Sequence, residues 1–129
     1  MKILGLGIDL TECSRMEAAI QKHGDSFLHR IFTEQELGYC SAMRNPVPHY
    51  AARFAAKEAV SKAFGTGIGA HMGWKDIEIV RLASGQPAVQ LHGPAADLAR
   101  SMGVDSVLLS LTHSEHASAA NAIAISSKG

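Results

Sequence analysis

A chain of 129 residues, 47% hydrophobic and 19% charged, has the balance of a globular protein and excludes a disordered one. Twelve Lys and Arg cancel twelve Asp and Glu, which excludes a global field that would recruit nucleic acid or a membrane surface, so charge-driven recognition has to come from a local patch. No apolar run approaches the ~18 residues of a membrane span, and the isolated Cys13 and Cys40 read as reduced thiols of a cytoplasmic protein.

The opening "KILGLGIDL" alternates as a strand, with Leu4, Leu6, Ile8 and Leu10 on one face and Ile3, Gly5, Gly7 and Asp9 on the other. Asp9 interrupts the apolar start too early for a secretory signal. Two glycines beside an acid leave room for a helix or ligand to approach the backbone. "SRME" (Ser14 to Glu17) and "TEQE" (Thr33 to Glu36) are capping-box patterns that start two short helices. Gly24 is placed as the stop of the first. Pro46 and Pro48 introduce the longest helix, running to about Phe64.

Beyond the glycines of "GTGIGAHMG", the runs "KDIEIVRL" and "AVQLH" flank the turn "SGQP" and pair as a hairpin. "GPAADLARSMG" has Pro at the start and Gly at the exit of a helix. "SVLLSLT" and "ASAANAIAIS" close a second hairpin around "HSEH". No repeat or linker divides the chain. The order β-ααα-ββ-α-ββ predicts one α+β domain over residues 1–129, with helices packed on one face of a largely antiparallel sheet.

The longest helix carries the chemistry. At about 100° per residue, Ala52, Ala55, Ala56, Ala59 and Ala63 share one arc, suited to close packing against the glycine face of the first strand. Arg53, Lys57 and Ser61 form the adjoining stripe, and Glu58 with Lys62 the next. One reading is a solvated face with a Glu58–Lys62 pair, worth about 0.3–0.5 kcal/mol. The other is a groove holding polyphosphate with a metal, since three cations, one carboxylate and the aromatic Phe54 share that side. For a hard cation the carboxylates Asp9 and Glu58 are the candidates to meet in space, because Mg²⁺ takes one or two carboxylates and fills its shell with water and phosphate.

Other motifs carry less. "GLGIDL" lacks the third glycine of a dinucleotide fingerprint, and "GTGIGAHMG" lacks the Lys-Ser/Thr ending of a P-loop. His113 and His116 in "HSEH" have no third ligand nearby in sequence, which favours a polar turn over a zinc site.

Taken in order, "GLGIDLTE", "FTEQE", "RFAAKEAVSKAFGTG", "DIEI", "SGQPAVQLHG" and "SLTHS" resemble the holo-[acyl-carrier-protein] synthases, the short bacterial-type 4′-phosphopantetheinyl transferases, over almost the whole chain. The resemblance implies a homotrimeric α+β enzyme with active sites between subunits. Its reaction moves 4′-phosphopantetheine from coenzyme A to a serine of an apo acyl carrier protein, releases adenosine 3′,5′-bisphosphate and supports fatty acid biosynthesis.

It further implies Asp9 and Glu58 as Mg²⁺ ligands and Lys62 on the coenzyme A pyrophosphate. Arg53, Lys57, Ser61 and Gly65 would line the nucleotide pocket, and Gln86, Pro87, Thr112 and His113 would be a neighbouring subunit's share of it. Glu58, or a water held by Asp9 or the metal, would accept the serine proton. Arg15 matches a carrier-contact position; Lys22, on the same helix face, and Arg44 are further candidates for an acidic carrier. A non-catalytic coenzyme A-binding module and a purely structural trimerisation domain are the competing readings.

Overall fold

The computed structural model describes residues 1–128; Gly129, the last residue of the expected domain, lies outside the described residues. Five strands and four α-helices follow in the expected order. They are β1 (Lys2–Glu12), α1 (Cys13–Ile31), α2 (Glu34–Ser41), α3 (Pro46–Ala63), β2 (Ile77–Arg81), β3 (Pro87–Leu91), α4 (Gly93–Met102), β4 (Ser106–His113) and β5 (Ala117–Ser126). A short 3₁₀ turn, Trp74–Asp76, leads into β2.

The strands make two antiparallel sheets rather than one: β1-β5-β4, and the separate hairpin β2-β3. The α+β class stands. In the larger sheet Gly5, Gly7 and Asp9 pair with Ala124, Ala122 and Ala120 of β5. These small residues make the inner face on which α3 lies, through Ala55, Ala56, Ala59, Val60 and Ala63. The approach is so close that a Cβ on Gly7 would stand 1.8 Å from the Ala59 carbonyl oxygen, and one on Gly5 the same distance from that of Ala63. Glycine and alanine in register therefore seat the helix directly on the strand backbone.

A bulge between Ile3 and Gly5 takes Leu4 off the outward row, so Leu4 packs against the core instead. Leu6, Ile8 and Leu10 face outward and remain 65–69% exposed. A second apolar cluster, with Met16, Ile31, Phe32, Cys40 and Tyr50, docks α1 and α2 against the first half of α3. Both cysteines are buried and free.

Gly24 interrupts the helical run as expected: its φ of 58° and ψ of −138° are non-helical, and a second helical segment follows to Ile31, so α1 is two segments joined at a kink. Glycine accepts that angle without a Cβ clash, and Phe27, Leu28 and Ile31 beyond the kink join the second cluster. The Ser14 capping box does not form, because the helix already begins at Cys13, with no side-chain bond capping it. The box at Thr33 forms in full: the Thr33 Oγ1 accepts from the Glu36 N–H, and the Thr33 N–H donates to Glu36 Oε1 at 2.8 Å.

Candidate active site

Packing α3 onto the glycine face of β1 brings two distant carboxylates together. Asp9 sits on the inner row of β1 just beyond Gly7, and Glu58 on the flank of α3. Both line one groove of about 450 Å³, with Thr11, Arg15, Met16 and Phe54 among its walls. Burial pushes the Glu58 carboxyl above its ordinary range, the Asp9 charge adds to that, and Lys62 draws it partly back. Asp9 accepts hydrogen bonds from Thr11 Oγ1 at 3.2 Å and from Lys62 Nζ at 3.0 Å. Lys62 also donates to the Ile8 carbonyl at 3.1 Å, so it spans from helix to strand in place of the expected Glu58–Lys62 pair.

The donor set is two carboxylates. Among the described residues no group of three or more His, Cys, Asp or Glu side chains comes together as a metal cage. Asp9 and Glu58 suit a hard cation that completes its shell with water and substrate oxygens, as Mg²⁺ does. At the end of α3 the chain turns through Gly65 and Gly67, both with positive φ, and their N–H groups bond back to the Lys62 and Ser61 carbonyls. This is the negative end of the helix dipole, so an anion here requires cations. Lys62, with its side chain half exposed, is placed to supply one.

The stripe Arg53–Lys57–Ser61 is buried, which corrects the reading of it as a solvated face. Ser61 is fully buried and donates to the Glu58 carbonyl at 2.7 Å. Lys57 is fully buried in an ion pair with Glu36 and cannot reach a phosphate in this groove. Burial lowers its ammonium below the usual lysine range, and Glu36 opposes that shift. Arg53 is 6% exposed, with its guanidinium 4.1 Å from the centre of the Tyr39 ring, and its Nε has no partner among the described residues. Sequence periodicity alone could not foresee that α2 and β2 would cover this side of α3.

Around Tyr39 the structure gathers cations that the sequence reading did not group. Arg81 bonds the Tyr39 hydroxyl, and His49 meets the Tyr39 ring edge-on at 6.0 Å. The His49 imidazole is pushed down by burial first, then by Arg53, His113 and Arg81. Arg53, Arg81 and His113 thus all lie near enough to His49 to disfavour its charged form. Thr112 and His113 are exposed at the end of β4. Gln86 and Pro87 line a different groove, shared with Leu82, Leu108 and Leu111, on the far side of the larger sheet's edge strand β4 from β1.

Arg15 borders the Asp9 groove, while Lys22 is exposed on α1 and Arg44 in the turn before α3. In "HSEH" the Ser114 hydroxyl accepts from the His116 and Ala117 N–H groups and closes the β4–β5 turn.

This fold and groove define a transferase of one family. A family model described as the 4′-phosphopantetheinyl transferase superfamily matches residues 5–122. The chain belongs to that superfamily and is an enzyme of the transferase class. It is similar to the holo-[acyl-carrier-protein] synthase of Koribacter versatilis, 45% identical over 121 residues that cover 94% of this chain and 97% of that one. The crystal structure of the Neisseria meningitidis holo-[acyl-carrier-protein] synthase superposes with a TM-score of 0.91 at 33% identity, covering 96% and 99% of the two chains. That of the Bacillus anthracis enzyme in complex with CoA (3′,5′-ADP) gives 0.81 at 35% identity, covering 97% and 98%.

Proposed function

We propose that this enzyme transfers 4′-phosphopantetheine from coenzyme A to a serine of an apo acyl carrier protein, in the cytoplasm and in support of fatty acid biosynthesis. The observation that carries the reading is the convergence of Asp9, Glu58 and Lys62 at one groove. Relatives named for this activity, one of them in complex with coenzyme A, make the substrates those of the family.

In the proposed reaction the serine Oγ attacks the β-phosphorus, and an Oγ–P bond forms as the bond from that phosphorus to the bridging oxygen breaks. Adenosine 3′,5′-bisphosphate leaves with the bond pair. The serine proton goes to a Glu58 carboxylate oxygen, whose proton affinity burial and the Asp9 charge raise above the ordinary carboxylate range, or to a water held by Asp9. Lys62 Nζ turns from Asp9 to the pyrophosphate oxygens as charge develops on them. Mg²⁺, held by Asp9 and Glu58 when bound, supplies further neutralisation of that charge. Arg15, at the rim of the groove, meets the acidic carrier.

The proposed working unit is a homotrimer. Leu6, Ile8 and Leu10 on β1 and Leu108 on β4 stand exposed on the outer face of the sheet, an apolar surface that a lone chain in water leaves uncovered. Leu108 also borders the groove that holds Gln86 and Pro87, so a neighbour covering this face carries those residues to the edge of an active site.

The test is incubation with apo carrier protein, coenzyme A and Mg²⁺. The carrier gains one phosphopantetheine mass, chelator stops the gain, and Glu58→Gln abolishes it while circular dichroism stays native. A carrier that gains no mass in any of several trials overturns the reading.

A further inference from the structure

The Lys57 ammonium and the Glu36 carboxylate lie 2.8 Å apart with both side chains fully buried. All three ammonium protons are committed: to Glu36 Oε1, to the Trp74 carbonyl at 3.0 Å and to the Ile77 carbonyl at 2.5 Å. The carboxylate is equally occupied, since Oε1 also accepts from the Thr33 N–H and Oε2 accepts from the Ile79 N–H at 2.7 Å. Taking two charges out of water is costly, and an apolar pair of the same volume commonly stabilises a fold as well or better. Stability alone therefore gives no reason for this pair.

Its position does. Lys57 directly precedes Glu58, so pinning its Nζ to the entry of β2 fixes the rotation of α3 about its own axis. That rotation decides whether the Glu58 carboxylate faces Asp9. Through its carbonyl the pair also holds Trp74, whose ring stacks on Phe54 at 4.8 Å, and Phe54 is a wall of the same groove. One buried pair thus ties α2, the 3₁₀ turn and β2 to both the reacting carboxylate and the groove wall.

We propose that Lys57 and Glu36 are positioning residues for the transfer reaction: touching neither substrate, they lock α3 and the Trp74–Phe54 wall in the setting the chemistry requires. The proposal rests on the transferase reading above. Small displacements at a reacting centre are costly in rate, about 10²-fold for 1 Å.

The experiment compares wild type, Lys57→Met, Glu36→Gln and the charge-free double variant Lys57→Met/Glu36→Leu. Each is followed by steady-state kinetics, thermal unfolding and the emission of Trp74, the single tryptophan. The double variant buries no unpaired charge but leaves the Thr33 and Ile79 N–H groups and the Trp74 and Ile77 carbonyls without these partners. It is expected to fold and to melt below wild type but above Lys57→Met, which leaves the Glu36 carboxylate buried without its cation. It nevertheless loses kcat by about 10²-fold, with the KM for coenzyme A changed less than about threefold. Trp74 emission shifts in Lys57→Met and in the double variant alike.

A double variant that folds and turns over as wild type overturns the proposal and leaves the pair a fold element. A large rise in coenzyme A KM at unchanged kcat overturns it too, returning Lys57 to the phosphates. Should wild type modify no carrier, the transferase reading fails by itself, and Trp74 emission still judges the clamp: a double variant with native emission refutes it.

Discussion

Lys62 Nζ lies 3.0 Å from Asp9 Oδ1 and 3.1 Å from the Ile8 carbonyl oxygen, so the last turn of α3 is bound to β1 at the acid that faces the groove. A cation held against one carboxylate, with half of its side chain in solvent, can exchange that partner for an incoming phosphate without unfolding anything. Lys62→Ala should lower kcat/KM for coenzyme A by about 10²–10³-fold, the usual loss for a group that meets developing charge. The KM for the carrier should change less than that for coenzyme A. Steady-state kinetics with each substrate varied in turn separates the two, and the reverse order would place Lys62 on the carrier side.

The seat of α3 on β1 leaves no room for a methyl group at Gly7, where a Cβ would stand 1.8 Å from the Ala59 carbonyl oxygen and 2.8 Å from the Ala63 nitrogen. Backbone atoms cannot rotate aside as a side chain can. Gly7→Ala should therefore cost about 3 kcal/mol or more, at or above the upper end of overpacking penalties. Urea unfolding measures it. Gly38→Ala serves as the control: a Cβ there meets nothing within 4 Å.

Glu78 is nearly buried in β2, yet its carboxyl sits below its ordinary value of 4.5. Burial alone would raise it; hydrogen bonds from Thr33 and His92 and the positive charges of His92 and Lys57 more than offset that. Thr33 Oγ1 donates to Glu78 Oε2 at 2.6 Å, and His92 Nε2 lies 3.0 Å from Oε1. A carboxyl with a depressed folded pKa stabilises the fold fully above its unfolded pKa. That contribution is lost as pH falls through the folded value. Denaturant unfolding at stepped pH should show wild type losing stability below about pH 4.5, and Glu78→Gln should flatten that part of the curve. A parallel decline in both proteins would remove Glu78 as its source.

Local pattern made the elements legible: alternation placed β1, paired turns placed both hairpins, and Thr33 with Glu36 announced α2. The contact of the glycine face with the alanine arc was legible as well, because small residues on both sides allow close packing only with each other. What the wheel could not supply was which side of α3 meets water. Arg53, Lys57 and Ser61 look exposed by residue type, but all three are buried, Arg53 against Tyr39 of α2 and Lys57 against Glu36 and the start of β2. The partner that makes a buried lysine tolerable, Glu36, was hidden in plain sight: its carboxylate completes a helix cap and also accepts Lys57 and the Ile79 N–H. One side chain with three donors from three elements is a tertiary fact, and no spacing rule encodes it. Leu4 was misplaced for the complementary reason: one bulged residue reverses the alternation that a period of two assumes.

Ile8 is 69% exposed at the middle of the outer row of β1, flanked by Leu6 and Leu10 and paired with Asn121 across the sheet. Burying one such side chain fully contributes about 1.5–3 kcal/mol, and the same row on each of three chains supplies enough to hold an assembly. A carboxylate at this place would have to be desolvated without a partner, which is strongly unfavourable. Ile8→Glu should thus convert a trimer in analytical ultracentrifugation into monomers. Its circular dichroism should stay native, since the side chain points away from α3. Carrier modification should fall with the assembly, because the proposed pocket draws Gln86, Pro87, Thr112 and His113 from a second chain. A wild-type chain that sediments as a fully active monomer would refute both the trimer and the shared pocket.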